Sequence, residues 1–173
     1  MFIIKKIISV FYLIFIKLIL VLCELKILKK QKLNSKIISI GNLTVGGTGK
    51  SPMIIYLSQL LTKWEIKHGV VSAGYGRKSV GTIIVNDGIT TRVDVNESGD
   101  EAQMLSIVLE NIPIIIGNKI SASKIQEQKF KTDLILVDDG FQTFKLDRYL
   151  DIVLIDLSSS LQDYHMLPYG KLR

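Results

Sequence analysis

Short apolar runs rich in β-branched residues recur along this chain, and segments of helical periodicity separate them. Ile37, Ile38 and Ile40 open the series and read as a buried strand. After a loop of small residues, Ile54, Ile55, Leu57, Leu60 and Leu61 give residues 51–63 a helical pattern. Pro52 suits its first turn, where a missing N–H leaves no bond unmade. Residues 69–72 read as a second strand, ending in a loop over residues 73–77. Two β-rich runs, 82–85 and 90–93, flank Asn86-Asp87-Gly88, a hairpin signal. Ser98 with Glu101 three residues on forms a capping-box pattern ahead of Met104, Leu105, Val108 and Leu109, so a helix is expected to start there. A strand (113–116), a helix (119–129), a strand (133–137) and a final strand (151–155) complete the order, and from residue 158 onward only turn residues follow. Strands alternating with helices predict an α/β fold with a mostly parallel sheet flanked by helices.

Ahead of this pattern stands a different segment. Residues 1–24 are apolar and lysine-flanked, with Lys17 inside the run. The 17 apolar-run residues at ~1.5 Å each reach roughly 25 Å, short of a hydrocarbon core of about 30 Å. On a helix at ~100° per residue, Lys5, Lys6, Ser9, Tyr12, Lys17 and Glu24 fall within an arc of roughly 140°, with Leu13, Ile16 and Leu20 intruding. An interfacial or shallowly inserted helix is favoured over a full span, and burial against the protein itself is the third reading. No small-residue cleavage site follows, which argues against a secretory signal.

Charge sharpens the division. Residues 1–36 hold eight lysines against Glu24, a balance of +7, so residues 37–173 carry −1 of the whole-chain +6. The chain is therefore expected to divide into a membrane-associating helix with a basic connector (1–36) and a near-neutral domain (37–173). A basic, apolar arm of this kind points to an anionic membrane surface, and no aromatic RNA-binding motif points to nucleic acid. The single cysteine, Cys23, excludes an intramolecular disulfide framework, and no zinc spacing occurs.

Candidate chemistry starts where the first strand ends. Thr44, Val45, Gly46, Gly47, Thr48 and Gly49 lead into Lys50-Ser51 at the head of a helix, the layout of a P-loop. Glycines let backbone N–H groups approach phosphate oxygens, and the helix N-terminus adds partial positive charge. Lys50 is the expected partner of the β/γ-phosphates and Ser51 of Mg²⁺. Thr44 stands where the G-x-x-x-x-G-K-[ST] pattern has its first glycine. A turn that merely needs glycine would not explain Lys50-Ser51 at the start of a helix. Asp138 and Asp139 leave a buried strand in the same sheet, as a Walker-B-like magnesium site would, although Asp-Asp-Gly alone also makes a turn. By spacing alone Asp100 and Glu101 are first-turn acids complementing the helix dipole, worth ~0.3–1 kcal/mol. Arg77 lies on a glycine-bearing loop near the expected phosphate site. His68 and His165 have no partner motif.

Together these pieces resemble the tetraacyldisaccharide 4′-kinase (lipid A 4′-kinase) family. The resemblance is carried by residues 41–52, Ser72-Ala73-Gly74-Tyr75-Gly76-Arg77, Gly99-Asp100-Glu101, Asp138-Asp139-Gly140-Phe141-Gln142 and Leu167-Pro168-Tyr169-Gly170-Lys171-Leu172-Arg173, in the family's order. It implies a P-loop NTPase-like domain that transfers the ATP γ-phosphoryl to the 4′-hydroxyl of an acylated glucosamine disaccharide 1-phosphate, giving lipid IVA. It also implies Mg²⁺ and residence at the cytoplasmic face of the bacterial inner membrane. Under the resemblance Asp100 orients or deprotonates the sugar hydroxyl, Asp138, Asp139 and Ser51 hold the metal, Lys50 holds phosphate, and Arg77 contacts phosphate or substrate. Thr143, Ala102 and Ala73 replace the family's usual His, Pro and Arg. Family members also carry a second, C-terminal lobe, so this chain is expected to lack one or to pair with it as a separate half. The alternative is a membrane-tethered nucleotide-binding module without transferase activity. A P-loop ATPase of the partitioning kind is more distant.

Overall fold

The computed structural model describes residues 2–44, 46–158 and 164–172. Six strands form one sheet in the order β3-β4-β2-β5-β1-β6. They are β1 (Lys36–Asn42), β2 (His68–Ser72), β3 (Ile83–Asp87), β4 (Pro113–Ile116), β5 (Leu134–Asp138) and β6 (Leu150–Leu154). All neighbours pair in parallel except β3 with β4. The mostly parallel α/β sheet expected from the alternation is present.

The central strands are apolar throughout because both of their faces are covered. Ile114, Ile115 and Ile116 are fully buried, as are Ile135, Leu136 and Val137. On one face, α2 (Lys50–Lys63) and α4 (Asp100–Val108) contribute Ile54, Leu61 and Leu105 to a core shared with Ile40, Val70 and Leu136. On the other, α5 (Lys119–Phe130) brings Ala122 against Ile37, Val71 and Ile135. Strand β6 lies at the edge and is only partly covered.

Two local expectations fail. The run 90–93 does not form a regular hairpin strand: on the outer side of β3 Thr91 makes only an isolated bridge to Asn86, while β4 pairs with β3 on the other side. The turn itself forms, with the Asp87 carboxylate accepting from the N–H groups of Ile89 (3.0 Å) and Thr90 (2.8 Å). The capping box is also absent. Ser98 closes a short helix, α3 (Val95–Ser98), which Asp94 caps by accepting from Glu97 N–H at 3.0 Å. Gly99 then precedes α4 without any side-chain cap, and Glu101 turns to the phosphate loop.

Helix α1 (Phe2–Glu24) stands apart from both cores. Ile3 is 71% exposed and Phe11 68%, so the third reading, burial against the protein, does not hold. It is long and apolar enough to cross a membrane, ~34 Å at ~1.5 Å per residue. After it, the basic connector is pinned by Gln31, which bonds to Lys145 and Asp147, and by Glu127, which accepts from the backbone of Asn34 and Ser35. Residues 164–172 form turns, as expected of the tail; residues 159–163 and Arg173 lie outside the described residues.

One buried side chain ties the sheet together. Gln126, fully buried on α5, donates its amide to the carbonyls of Val70 (3.1 Å) and Pro113 (2.8 Å). This works because residue 69 has no side chain: a Cβ there would lie 2.2 Å from Gln126 Oε1. Gly69→Ala is therefore expected to lower stability by about 1–3 kcal/mol through overpacking. Urea unfolding followed by far-UV circular dichroism measures it, and an unchanged midpoint would show that Gln126 can move aside.

Candidate functional site

Parallel pairing decides where the chemistry sits. Ile40 of β1 is in register with Asp138 of β5, so the loop after β1 and the acids after β5 leave the sheet side by side at its carboxyl edge. The Asp139 N–H donates to the Ile40 carbonyl at 2.7 Å, which fixes the acid pair to the phosphate-loop strand. A cleft of about 470 Å³ opens there, lined by Gly46 to Pro52, Tyr75, Glu101, Asp138 and Asp139.

The loop has the backbone that a phosphate cradle needs. Gly49 has φ +82°, a left-handed conformation that side chains disfavour, and it passes the chain into the N-terminus of α2. Lys50 Nζ donates to Asn42 Oδ1 at 3.3 Å, and Asn42 Nδ2 donates to the Gly46 carbonyl at 3.1 Å, so the last residue of β1 braces the loop. The Ser51 hydroxyl donates to Glu101. Thr48 Oγ1 is buried with no partner among the described residues.

The acids are held under tension of charge. Asp138 is 2% exposed; its Oδ2 accepts from Ser72 Oγ at 3.1 Å, and its Oδ1 has no partner among the described residues. Burial pushes its carboxyl up to about 6, and the Glu101 carboxylate adds to the rise, while Ser72, Lys50 and Lys119 oppose it. Lys119, at the head of α5, donates to the Asp139 carbonyl.

Not every expected residue reaches the cleft. Gly46, Gly47, Thr48, Gly49, Lys50, Ser51, Asp138 and Asp139 converge. Thr44 is buried just before the loop in a bridge to Leu172, and Val45 lies outside the described residues. Asp100 is exposed at the start of α4 and does not line the cleft; its neighbour Glu101 does. Arg77 is also outside the lining, because its guanidinium turns back to the Gly81 carbonyl at 2.8 Å, and Tyr75 of the same loop lines the cleft instead. Asn42 and Lys119 were not singled out from the sequence. Asn42 adjoins the loop and was within reach of that reading, whereas Lys119 approaches only because β4 and β5 flank β2. His68 is a core residue: its Nδ1 donates to Ile66 O at 2.8 Å, leaving Nε2 to accept from Ser58 at 2.7 Å.

Because Asp138 binds its proton more tightly folded than unfolded, its contribution to stability is present below about pH 4 and lost as pH rises through about 6. Asp138→Asn is expected to remove this loss, making the metal-free protein more stable than wild type by about 3 kcal/mol at pH 7.5, a difference that shrinks to about 1 kcal/mol at pH 4.5. Urea unfolding of both proteins across that range tests it. The difference between them isolates Asp138 from His68, whose burial-lowered pKa acts with the opposite sign. A pH-independent difference would count against a strained Asp138.

Comparison with known proteins places this arrangement. The sequence is 38% identical over 155 residues to the tetraacyldisaccharide 4′-kinase of Halothermothrix orenii, covering 88% of this chain and 40% of that protein. It is 35% identical over 167 residues to that of Pelobacter propionicus, covering 95% and 46%. The fold superposes with a TM-score of 0.86 and 34% identity on the crystal structure of "apo" form LpxK from Aquifex aeolicus in complex with ATP, over 96% of this chain and 52% of that one. The chain thus spans less than half the length of these curated relatives. The family model for tetraacyldisaccharide-1-P 4′-kinase (LpxK) matches residues 2–173, and the chain belongs to that family.

Proposed function

We propose that this chain takes part in ATP-dependent phosphorylation of the 4′-hydroxyl of a tetraacyldisaccharide 1-phosphate at the cytoplasmic face of the inner membrane. The observation that carries the reading is the convergence of Lys50, Ser51, Glu101, Asp138 and Asp139 around one glycine-lined cleft. Phosphoryl transfer depends mainly on positioning and charge neutralisation, and this cleft has groups for both. Backbone N–H groups of residues 46–51 and the Lys50 ammonium hold the phosphates of ATP. Asp100, exposed beside Glu101, orients or deprotonates the incoming hydroxyl.

The residues fit a divalent cation. Asp138 keeps a buried oxygen without a partner among the described residues, beside Glu101 and the Ser51 hydroxyl. Among the described residues no three His, Cys, Asp or Glu side chains form a complete metal cage. The carboxylates and hydroxyl present suit Mg²⁺, which is bound through one or two carboxylates together with substrate phosphates. Asp138, Asp139 and Ser51 would hold it, with Glu101 alongside, and it would supply positive charge to the phosphate oxygens.

The N-terminal helix supports an interfacial placement over a full span. Ser9, in its first half, bonds to Met166 and Tyr169 of the tail turn. A spanning α1 would carry that irregular segment, with His165 and Lys171, into hydrocarbon. Lying in the interface, α1 can bury Ile3, Ile7 and Phe11 in lipid while Lys5 and Lys17 stay with the headgroups.

Lys50→Ala is expected to abolish Mg-ATP binding, and Asp100→Asn to spare binding but lower transfer ~10²-fold or more. Equilibrium dialysis with labelled ATP reads the first, and transfer to the disaccharide 1-phosphate in detergent reads the second. Unchanged affinity in Lys50→Ala would remove the P-loop assignment. ATP binding without any transfer by wild type would favour the nucleotide-binding module. Deleting residues 1–24 is expected to release the domain from anionic vesicles in a flotation assay; continued binding would place the anchor elsewhere.

A further inference from the structure

Ser9 is an anomaly on α1. Its neighbours Ile7, Ile8, Val10 and Phe11 are all about half exposed or more, yet Ser9 is 8% exposed. Its hydroxyl lies 2.9 Å from both the Lys5 and Met166 carbonyls and accepts at 3.1 Å from the Tyr169 N–H, which it shares with the Met166 carbonyl at 3.0 Å. With one proton to give, it satisfies one carbonyl at a time, while its acceptor side holds Tyr169. Lys6, Ser9, Val10 and Leu13 form a stripe at i, i+3, i+4 and i+7, and this stripe faces His165, Met166 and Tyr169. Lys6 Nζ sits 5.3 Å from the Tyr169 ring centroid.

The segment that Ser9 grips is closed on itself. Leu167 N–H donates to Leu172 O (2.8 Å), Leu172 N–H to His165 O (2.9 Å), and Gly170 N–H to Met166 O (3.0 Å). At its far end Leu172 pairs antiparallel with Thr44, the last described residue before the phosphate loop. Residues 164–172 therefore join the apolar helix to the entrance of the nucleotide cleft.

We propose that Ser9 is a positioning residue for the phosphate loop: it seats the 164–172 turn, and the turn, through Leu172 against Thr44, holds the loop entrance in its binding form. The proposal rests on the nucleotide reading of the cleft. Coupling of this kind is reciprocal, so nucleotide in the cleft must also steady the turn.

The full chain tests it in two ways, with Mg-ATP as the probe. Ser9→Ala is expected to weaken Mg-ATP binding about threefold to tenfold, and Ser9→Thr to restore it, while vesicle binding stays at the wild-type level in both. In the unmutated chain, saturating Mg-ATP is expected to slow amide hydrogen exchange at Leu167, Tyr169, Gly170 and Leu172 as well as in residues 46–51. If Ser9→Ala fails to fold in a thermal melt, the exchange measurement decides alone. Protection confined to residues 46–51, or an unchanged affinity in folded Ser9→Ala, would overturn the proposal and leave the nucleotide reading standing. Failure of the wild-type chain to bind Mg-ATP would overturn both.

Discussion

The parallel pairing of β1 with β5 is the constraint on which the site depends. The loop of residues 46–51 and the acids Asp138 and Asp139 are far apart in sequence, and the site proposed above needs both. The Ile40–Asp138 register, locked by the Asp139 amide on the Ile40 carbonyl, places both at one edge of the sheet. A slip of one residue would invert every side chain of β5 and send Asp138 to the opposite face. The buried Ile135, Leu136 and Val137 make that slip costly, so the core protects the chemistry by protecting the register.

The same burial that fixes Asp138 also strains it. A carboxylate at 2% exposure, with an unpartnered oxygen and Glu101 close by, is a poor way to stabilise a fold. A cation held there, as in the proposed magnesium site, would relieve it. Sites of function commonly hold groups that the empty protein would be better without, because the ligand supplies what is missing.

What could be read from the sequence followed how strongly each segment's surroundings were constrained. Strands covered on both faces, such as Ile114 to Ile116, announce themselves because nothing polar can replace them. The loop from β1 into α2 was legible for a similar reason: glycine eases the left-handed turn at Gly49, and Lys50-Ser51 follows at once at the helix start. Weak local signals failed where a tertiary partner outbid them. Residues 90–93 have strand composition and lie along the outer side of β3, yet a single bridge, Thr91 to Asn86, is all the ladder they form. Ser98 and Glu101 have capping spacing, but Glu101 found Ser51. Arg77 and Asp100 stand beside the residues that do line the cleft, Tyr75 and Glu101; spacing finds the loop, and only packing tells which side chain turns inward. Lys119 had no sequence signal at all, since its approach to Asp139 depends on strand order.

The failed hairpin has a further effect on the outer rim of the sheet. Arg92 N–H donates to the Val85 carbonyl at 2.7 Å, and Thr91 bridges Asn86. The run that is not a strand thus occupies hydrogen-bonding groups along the outside of β3, and the bulge between Ile84 and Asn86 bends that edge further. At the opposite rim β6 has no such cover among the described residues, and Leu150 and Val153 are exposed there. The sheet is therefore blunted on one side and bare on the other. Among the described residues the edge left open to pairing with another strand is that of β6, beside the Arg148–Asp151 ion pair.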